Sequence, residues 1–454
     1  MDARTSGGDE AGAAPAQGVR AFLARHERAA IVILLLAGLA LRLAWVSQDG
    51  RLKPFISEMF QVAVCFAKTG VLGDSFYPGQ GPTAHANPVT AIIGGLTYRA
   101  FGVGSLTSEI LLTALALSYF GVALMAFYAA FRRMGLGVEW RLAALAAALL
   151  LPLNFKFETQ SLRLFEGAMA VALLACALLV VVRLDARPEL RARDYVLPSL
   201  IGGLLALMNP PAGLGAYAAF GVLTLKRAPV RRWPGVVLVM SLGLALFLAP
   251  WAIRNELVFG RLMLTRSNFP LEHAIGFHPA AVAPADPAAT FVKRIRSLHP
   301  YSTEAVSASR SEVMRVGELA FMDRLARETS AWERAHPGDA VRIGVRHLQE
   351  YWLPPKWWWR IYTPNAPLVP LRQAFLWTTT LAAFAALVWG LFRAPLGPSL
   401  YVACVLIIPS LPYVLVQPVQ RYRYLVFVLT LFLAAEFGSR ACRALARRRR
   451  TSPA

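Results

Sequence analysis

The chain has 454 residues, of which 56% are hydrophobic and 16% charged, and its formal net charge is +21. A soluble protein of this length carries about 25% charged residues; the deficit sits in long apolar runs, which excludes one large soluble core. The charge excess does not call for nucleic acid, because the arginines stand in short clusters between apolar runs, and the four scattered cysteines (Cys65, Cys176, Cys404, Cys442) offer neither a disulfide framework nor a zinc site.

In chain order, residues 1–28 read as a disordered N-terminal segment, with 1–19 rich in Gly and Ala. Apolar runs follow at roughly 29–46, 108–131, 140–153, 167–182, 195–208, 212–225, 235–252, 373–392, 398–416 and 424–438. They predict an all-α polytopic membrane protein of about ten transmembrane helices, in a range of 9–12. The first run carries Arg42 and lacks a clean small-residue cleavage site, so it reads as an uncleaved span. Asn209-Pro210-Pro211 breaks one pair of runs, either as a tight turn between two spans or as a re-entrant unit.

Basic residues recur in every second short connection: Arg132 and Arg133, Arg183 to Arg193, Lys226 to Arg232, Arg393, and Arg447 to Arg450. With Arg20, Arg25 and Arg28 on the same side, this predicts an even number of spans with both termini cytoplasmic. The basic tail, 439–454, then needs only anionic membrane lipid as a partner.

Two outer segments remain. The first, 47–107, contains apolar pieces at Ile56–Lys68 and Val89–Phe101 that read as interfacial helices. The second, 254–371, reads as a small, mostly helical outer domain, poorly patterned at 278–309. It closes on Tyr351-Trp352, Trp357-Trp358-Trp359 and Tyr362. Such rings prefer the headgroup level, so the run reads as an interfacial anchor or as a surface touching lipid or sugar. Residues 372–438 then hold the last spans.

Ionisable groups beside a membrane core are candidates for chemistry. Glu58 could be a general base, or merely face water on an interfacial helix. His85, in Gly81-Pro82-Thr83-Ala84-His85-Ala86-Asn87-Pro88, could bind phosphate or orient a carboxylate, or simply sit in a rigid turn. Arg254 with Asn255, Arg261 and Arg266 follow the seventh run, and Arg421 and Arg423 precede the last. Planar guanidinium groups there suit phosphate or lipid headgroups. No P-loop, dinucleotide fingerprint or HExxH motif is present. Without ATP, an outward-facing enzyme needs an activated donor carried by the membrane, and no cofactor or metal is expected.

The segments GPTAHANP, PWAIRNELVFGRLMLTRSNFPLEHAIGFHP and RYRY, with an acid in the first outer loop, resemble bacterial membrane glycosyltransferases related to family 39. These belong to the GT-C superfamily, which includes protein O-mannosyltransferases and lipid A aminoarabinose transferases. The resemblance runs from about 30 to 438. It implies a GT-C-like bundle and inverting transfer of a sugar from a polyprenyl-phosphate donor to a lipid, glycan or protein acceptor at the outer face of a bacterial inner membrane. It also implies Glu58 as the catalytic carboxylate, His85 in the GPTAH element, and Arg254, Asn255, Arg421 and Arg423 in the basic elements. Relatives often have two adjacent acids where this chain has Ser57-Glu58, with Asp74 and Glu109 as possible substitutes. The readings from other classes are a transporter or flippase of lipid-linked sugars and a non-catalytic envelope-assembly protein.

Overall fold

A computed structural model describes residues 13–451 except 49, 152, 302–307 and 364–365. Among these residues the regular structure is helical, and each of the ten predicted runs lies on a helix. Six helices are long and apolar enough to span a bilayer: Glu27–Val46, Leu106–Arg133, Gly167–Asp185, Val230–Phe259, Val369–Arg393 and Tyr424–Arg447. Shorter apolar helices occupy Val138–Leu150, Val196–Met208, Pro210–Arg227 and Pro398–Ile407. The chain is a multi-pass membrane protein. The expectation of disorder over 1–12 lies outside the described residues, whereas Ala13–Arg25 is helical, followed directly by the first span.

Local chemistry explains the breaks. Asn209 accepts a bond from the Ala212 amide at 3.2 Å and Pro210 begins the next helix, so the Asn-Pro-Pro element joins two helices by a cap. Val196–Met208 and Trp233–Phe259 pack closely because Gly203 faces the backbone of Gly243. A Cβ at Gly203 would come within 2.2 Å of the Gly243 carbonyl oxygen.

Ion pairs define the two ends of the bundle. Lys226–Asp185 and Arg232–Glu189 join two connections at one end, and Arg141–Glu27 ties the N-terminal segment to a third. The opposite end gathers the 47–107 segment, the 151–166 connection, the residues before the last helix and the 254–368 segment. Arg42 is buried and pairs with Glu158 of that connection at 2.7 Å, which accounts for a charge in the first span.

The 254–371 segment seats on the bundle through the aromatic run. Trp357, Trp358 and Trp359 are buried, so the interfacial-anchor reading is corrected. The Trp357 indole donates to Glu350, Trp352 meets Phe384 edge-on, and Tyr351 stacks on Tyr413 with ring centroids 4.9 Å apart. Lys156 of the bundle donates to the Tyr362 carbonyl. These rings are the mortar between domain and bundle.

Candidate active site

A cavity of about 610 Å³ opens at this second end of the bundle. Its polar wall carries Glu58, His85, Arg266, Glu272 and Arg421, while Pro210, Leu411, Leu415 and Leu425 line the side toward the bundle.

Glu58 opens the helix Glu58–Thr69, whose N-cap Ser57 accepts from the Phe60 amide at 3.3 Å. Its carboxylate lies 3.0 Å from Nε2 of His299. His299 follows the helix Pro287–Leu298 of the outer domain, which Asp286 caps through the Ala288 and Ala289 amides. The 278–309 segment is therefore ordered around a helix across most of its described residues. Burial favours the neutral form of Glu58, but the bond and charge of His299, with His85 and Arg421 behind them, outweigh it and hold the carboxyl well below its usual range. His85 is buried, and burial pushes its pKa down to about 3, with Glu58 opposing and His299 and Arg266 assisting. Its Nδ1 has no partner among the described residues.

One carboxylate holds the GPTAH turn in place. Glu318 of the outer domain accepts from the Ala84 amide at 3.1 Å, Ser267 Oγ at 2.7 Å, Gln80 Nε2 at 3.0 Å and Thr83 Oγ1. Ser267 also donates its amide to the Ala84 carbonyl. From the other side Arg254 donates to the Thr83 and Leu72 carbonyls at 2.9 and 3.0 Å. Asn255 accepts from Arg254 and donates to the Met263 carbonyl. Asn87 caps the helix Pro88–Phe101 and donates to Glu166, whose other oxygen receives Arg266 at 2.9 Å.

The structure thus brings Glu58, His85, Arg266 and Arg421 to one cavity. Arg254 and Asn255 brace backbone behind it. Arg261 is solvent-facing and grips Asp323 with both bonds from one nitrogen, at 2.8 and 2.9 Å. Arg423 is buried on the far side of its strand of sequence and donates to Thr380 of the Val369–Arg393 helix. Arg421 forms no carboxylate pair among the described residues; it lies over the Phe165 and Tyr422 rings and donates to the Tyr422 hydroxyl at 3.4 Å. Burial opposes its charge, but Tyr422, Glu58 and Glu272 together raise its proton affinity. Asp74 accepts from the Gly81 amide, and Glu109 is committed to Arg163 and Tyr98, so neither supplies a second cavity carboxylate. Sequence reading missed His299, Glu318, Glu166 and Glu272. Only the Asp286-Pro287 cap before His299's helix is a local signal; the contacts themselves are long-range.

Glu58, His85 and His299 offer ligand atoms that all lie within 4.8 Å of one another. Two imidazoles and a carboxylate suit zinc or a similar divalent ion, and the unpartnered Nδ1 of His85 fits such a role. The expectation of no essential metal rested on the lack of a local ligand motif, and these three groups come from distant segments.

No protein-family model matches this sequence, and no curated protein does. Among solved structures, the apo oligosaccharyltransferase of Archaeoglobus fulgidus aligns with a TM-score of 0.52 at 14% identity, over 93% of this chain and 51% of that one. The same organism's oligosaccharyltransferase AglB, in complex with an inhibitory peptide and a dolichol-phosphate, gives 0.48 at 15% identity over 93% and 51%. ArnT from Cupriavidus metallidurans bound to undecaprenyl phosphate gives 0.37 at 16% identity over 90% and 78%. The chain shares the fold of the archaeal oligosaccharyltransferase. The chain spans about half the length of that enzyme.

Proposed function

We propose that the chain is an inverting glycosyltransferase that moves a sugar from a polyprenyl-phosphate donor to a lipid, glycan or protein acceptor. The observation that carries this reading is the sharing of one cavity by Glu58 and the unpaired Arg421, with polar walls outside and apolar walls toward the bundle. The apolar side suits a prenyl chain, and Arg421 suits the phosphate that leaves.

The chemistry is a single displacement. The acceptor oxygen bonds to the anomeric carbon from one face as that carbon's bond to the phosphate oxygen breaks on the other. The phosphate leaves with the electron pair and its charge is met by Arg421, flanked by Arg266. The acceptor proton passes to Glu58. Because that carboxylate is held ionised, it is a weak base and takes the proton late, once the attacking oxygen has become acidic. Glu58, His85 and His299 would hold a divalent ion, which when bound would supply Lewis-acid stabilisation of developing negative charge.

The basic connections support a bacterial inner-membrane location with both termini cytoplasmic and the cavity outside. The test uses purified full-length protein in lipid nanodiscs with a panel of radiolabelled undecaprenyl-phosphate sugars and membrane extracts as acceptor. Transfer by the wild type and its loss in Glu58→Gln, with unchanged melting, is expected. Full transfer by Glu58→Gln removes Glu58 from the mechanism, and no transfer or carrier binding by the wild type overturns the function. Loss of transfer on chelation, restored by zinc or manganese, assigns the three-residue ligand set.

A further inference from the structure

Two charged groups of the cavity have no direct ion-pair partner among the described residues. Glu58 is taken by His299, and Glu166 by Arg266 and Asn87. Arg421 has only rings and a long bond to a hydroxyl. The second is Glu272. Its carboxylate lines the same cavity, is half-buried, and forms no hydrogen bond or ion pair with any described residue. It stands close enough to Arg421 and Tyr422 for its charge to act on both.

This position is built. Glu272 lies in the helix Phe269–Gly276, which carries Pro270 in its first turn and is pinned through its neighbour. His273 Nε2 meets Glu333 at 2.9 Å, and its ring stacks on Phe269 and meets Phe277 at a tilt. A half-buried carboxylate without a donor is unfavourable unless a ligand supplies one. An unmatched cation and an unmatched anion in one cavity describe a ligand with an anionic part and a donor-rich part.

We infer that Glu272 is a specificity-determining residue that reads the sugar of the donor. It accepts bonds from sugar hydroxyl or ammonium groups while Arg421 holds the phosphate, and it rejects sugars bearing a carboxylate. The inference rests on the proposed function. A carboxylate accepts from two donors at once, which suits neighbouring hydroxyls. A uronic acid would bring a second carboxylate against Glu272 and Glu58, and like charges at that range are strongly repelled.

The test measures binding to full-length protein in nanodiscs of undecaprenyl phosphate alone and of the same carrier bearing glucose, glucosamine or glucuronic acid. The wild type should prefer the glucosyl or glucosaminyl carrier over the glucuronosyl one by about tenfold or more, the scale of one charge-assisted bond. In Glu272→Gln that ratio should collapse toward one. Taking ratios within each protein removes any effect of misfolding. A larger loss for glucosamine than for glucose assigns an ammonium, and equal losses assign hydroxyls; both support the inference. An unchanged ratio in Glu272→Gln, with all carriers bound by the wild type, overturns the role of Glu272 and leaves the proposed function standing. A wild type that binds no carrier overturns both.

Discussion

His299 Nε2 and the carboxylate of Glu58 meet at 3.0 Å, one from the outer domain and one from the first outer loop. The pair fixes the carboxylate against the cavity wall and keeps it ionised. His299→Ala is expected to lower transfer at least tenfold, because a carboxylate that swings free loses its aim at the acceptor. His299→Gln, which keeps a donor, should recover part of the rate. Initial rates on the same donor panel check this.

Two arginines give a contrast. Arg421 lies in the cavity with no carboxylate pair among the described residues, whereas Arg261 is exposed on Asp323. Arg421→Ala should weaken undecaprenyl phosphate binding by about 10- to 100-fold, the scale of a lost charged hydrogen bond. Arg261→Ala should leave binding unchanged and stability within about 0.5 kcal/mol. Equal effects at both positions would exclude the cavity as the phosphate site.

Glu318 is a positioning residue for the GPTAH turn. Its pKa is raised by burial, which the donors Thr83, Ser267, Ala84 and Gln80 oppose. Glu318→Ala strands four donors and should cost about 1–3 kcal/mol of stability for the buried groups left unpaired. Transfer should fall through kcat more than through the donor KM, because His85 shifts while Arg421 stays. Glu318→Gln keeps the acceptor oxygen and one set of bonds, so it should restore part of kcat. A melt that drops with kcat unchanged would limit Glu318 to stability.

Arg163 and Glu109 form a buried pair at 2.6 Å that also receives the Tyr98 hydroxyl. Removing one partner of such a pair costs about 3–5 kcal/mol because the other charge stays buried. Glu109→Gln should therefore lower the melting temperature sharply, while the folded fraction keeps its affinity for the carrier. Selective loss of transfer with normal melting would instead make Glu109 chemical.

Buried histidines make the outer domain sensitive to acid. Burial, assisted by Arg294 and Arg346, pushes His278 down to about 4 from 6.5. The unfolded chain takes up a proton below about pH 6.5 and the folded one does not until about pH 4. Stability from this group is thus present above that window and lost as pH falls through it, at up to about 1.4 kcal/mol per pH unit. Glu318 and Glu350, raised mainly by burial, act in the opposite sense. The measurement is therefore a difference: His278→Asn should flatten the fall in melting temperature between pH 6.5 and 4. An unchanged slope would rule out His278 as its source.

The spans were legible because a run of apolar residues is the same signal before and after folding. The helix start at Asn87-Pro88 was legible too, since a cap is a local bond. Glu58 and His85 stood out through motif and resemblance, and they do share a cavity. His299, Glu318 and Glu272 did not, because each acts on residues far away in sequence and its own neighbourhood carries no pattern. The Trp357–Trp359 run misled for a different reason. An indole with an apolar body and one polar N–H suits a membrane interface or a domain junction equally, and only packing against Phe291 and Glu350 decides between them.

The Glu318 clamp has a consequence for biogenesis. The cavity's first wall emerges early from the ribosome, while His299 and Glu318 are synthesised only after seven apolar runs. A nascent or truncated chain therefore carries Glu58 without its partner and His85 on an unclamped turn. The cavity is therefore complete only once the 254–371 segment has folded against the bundle.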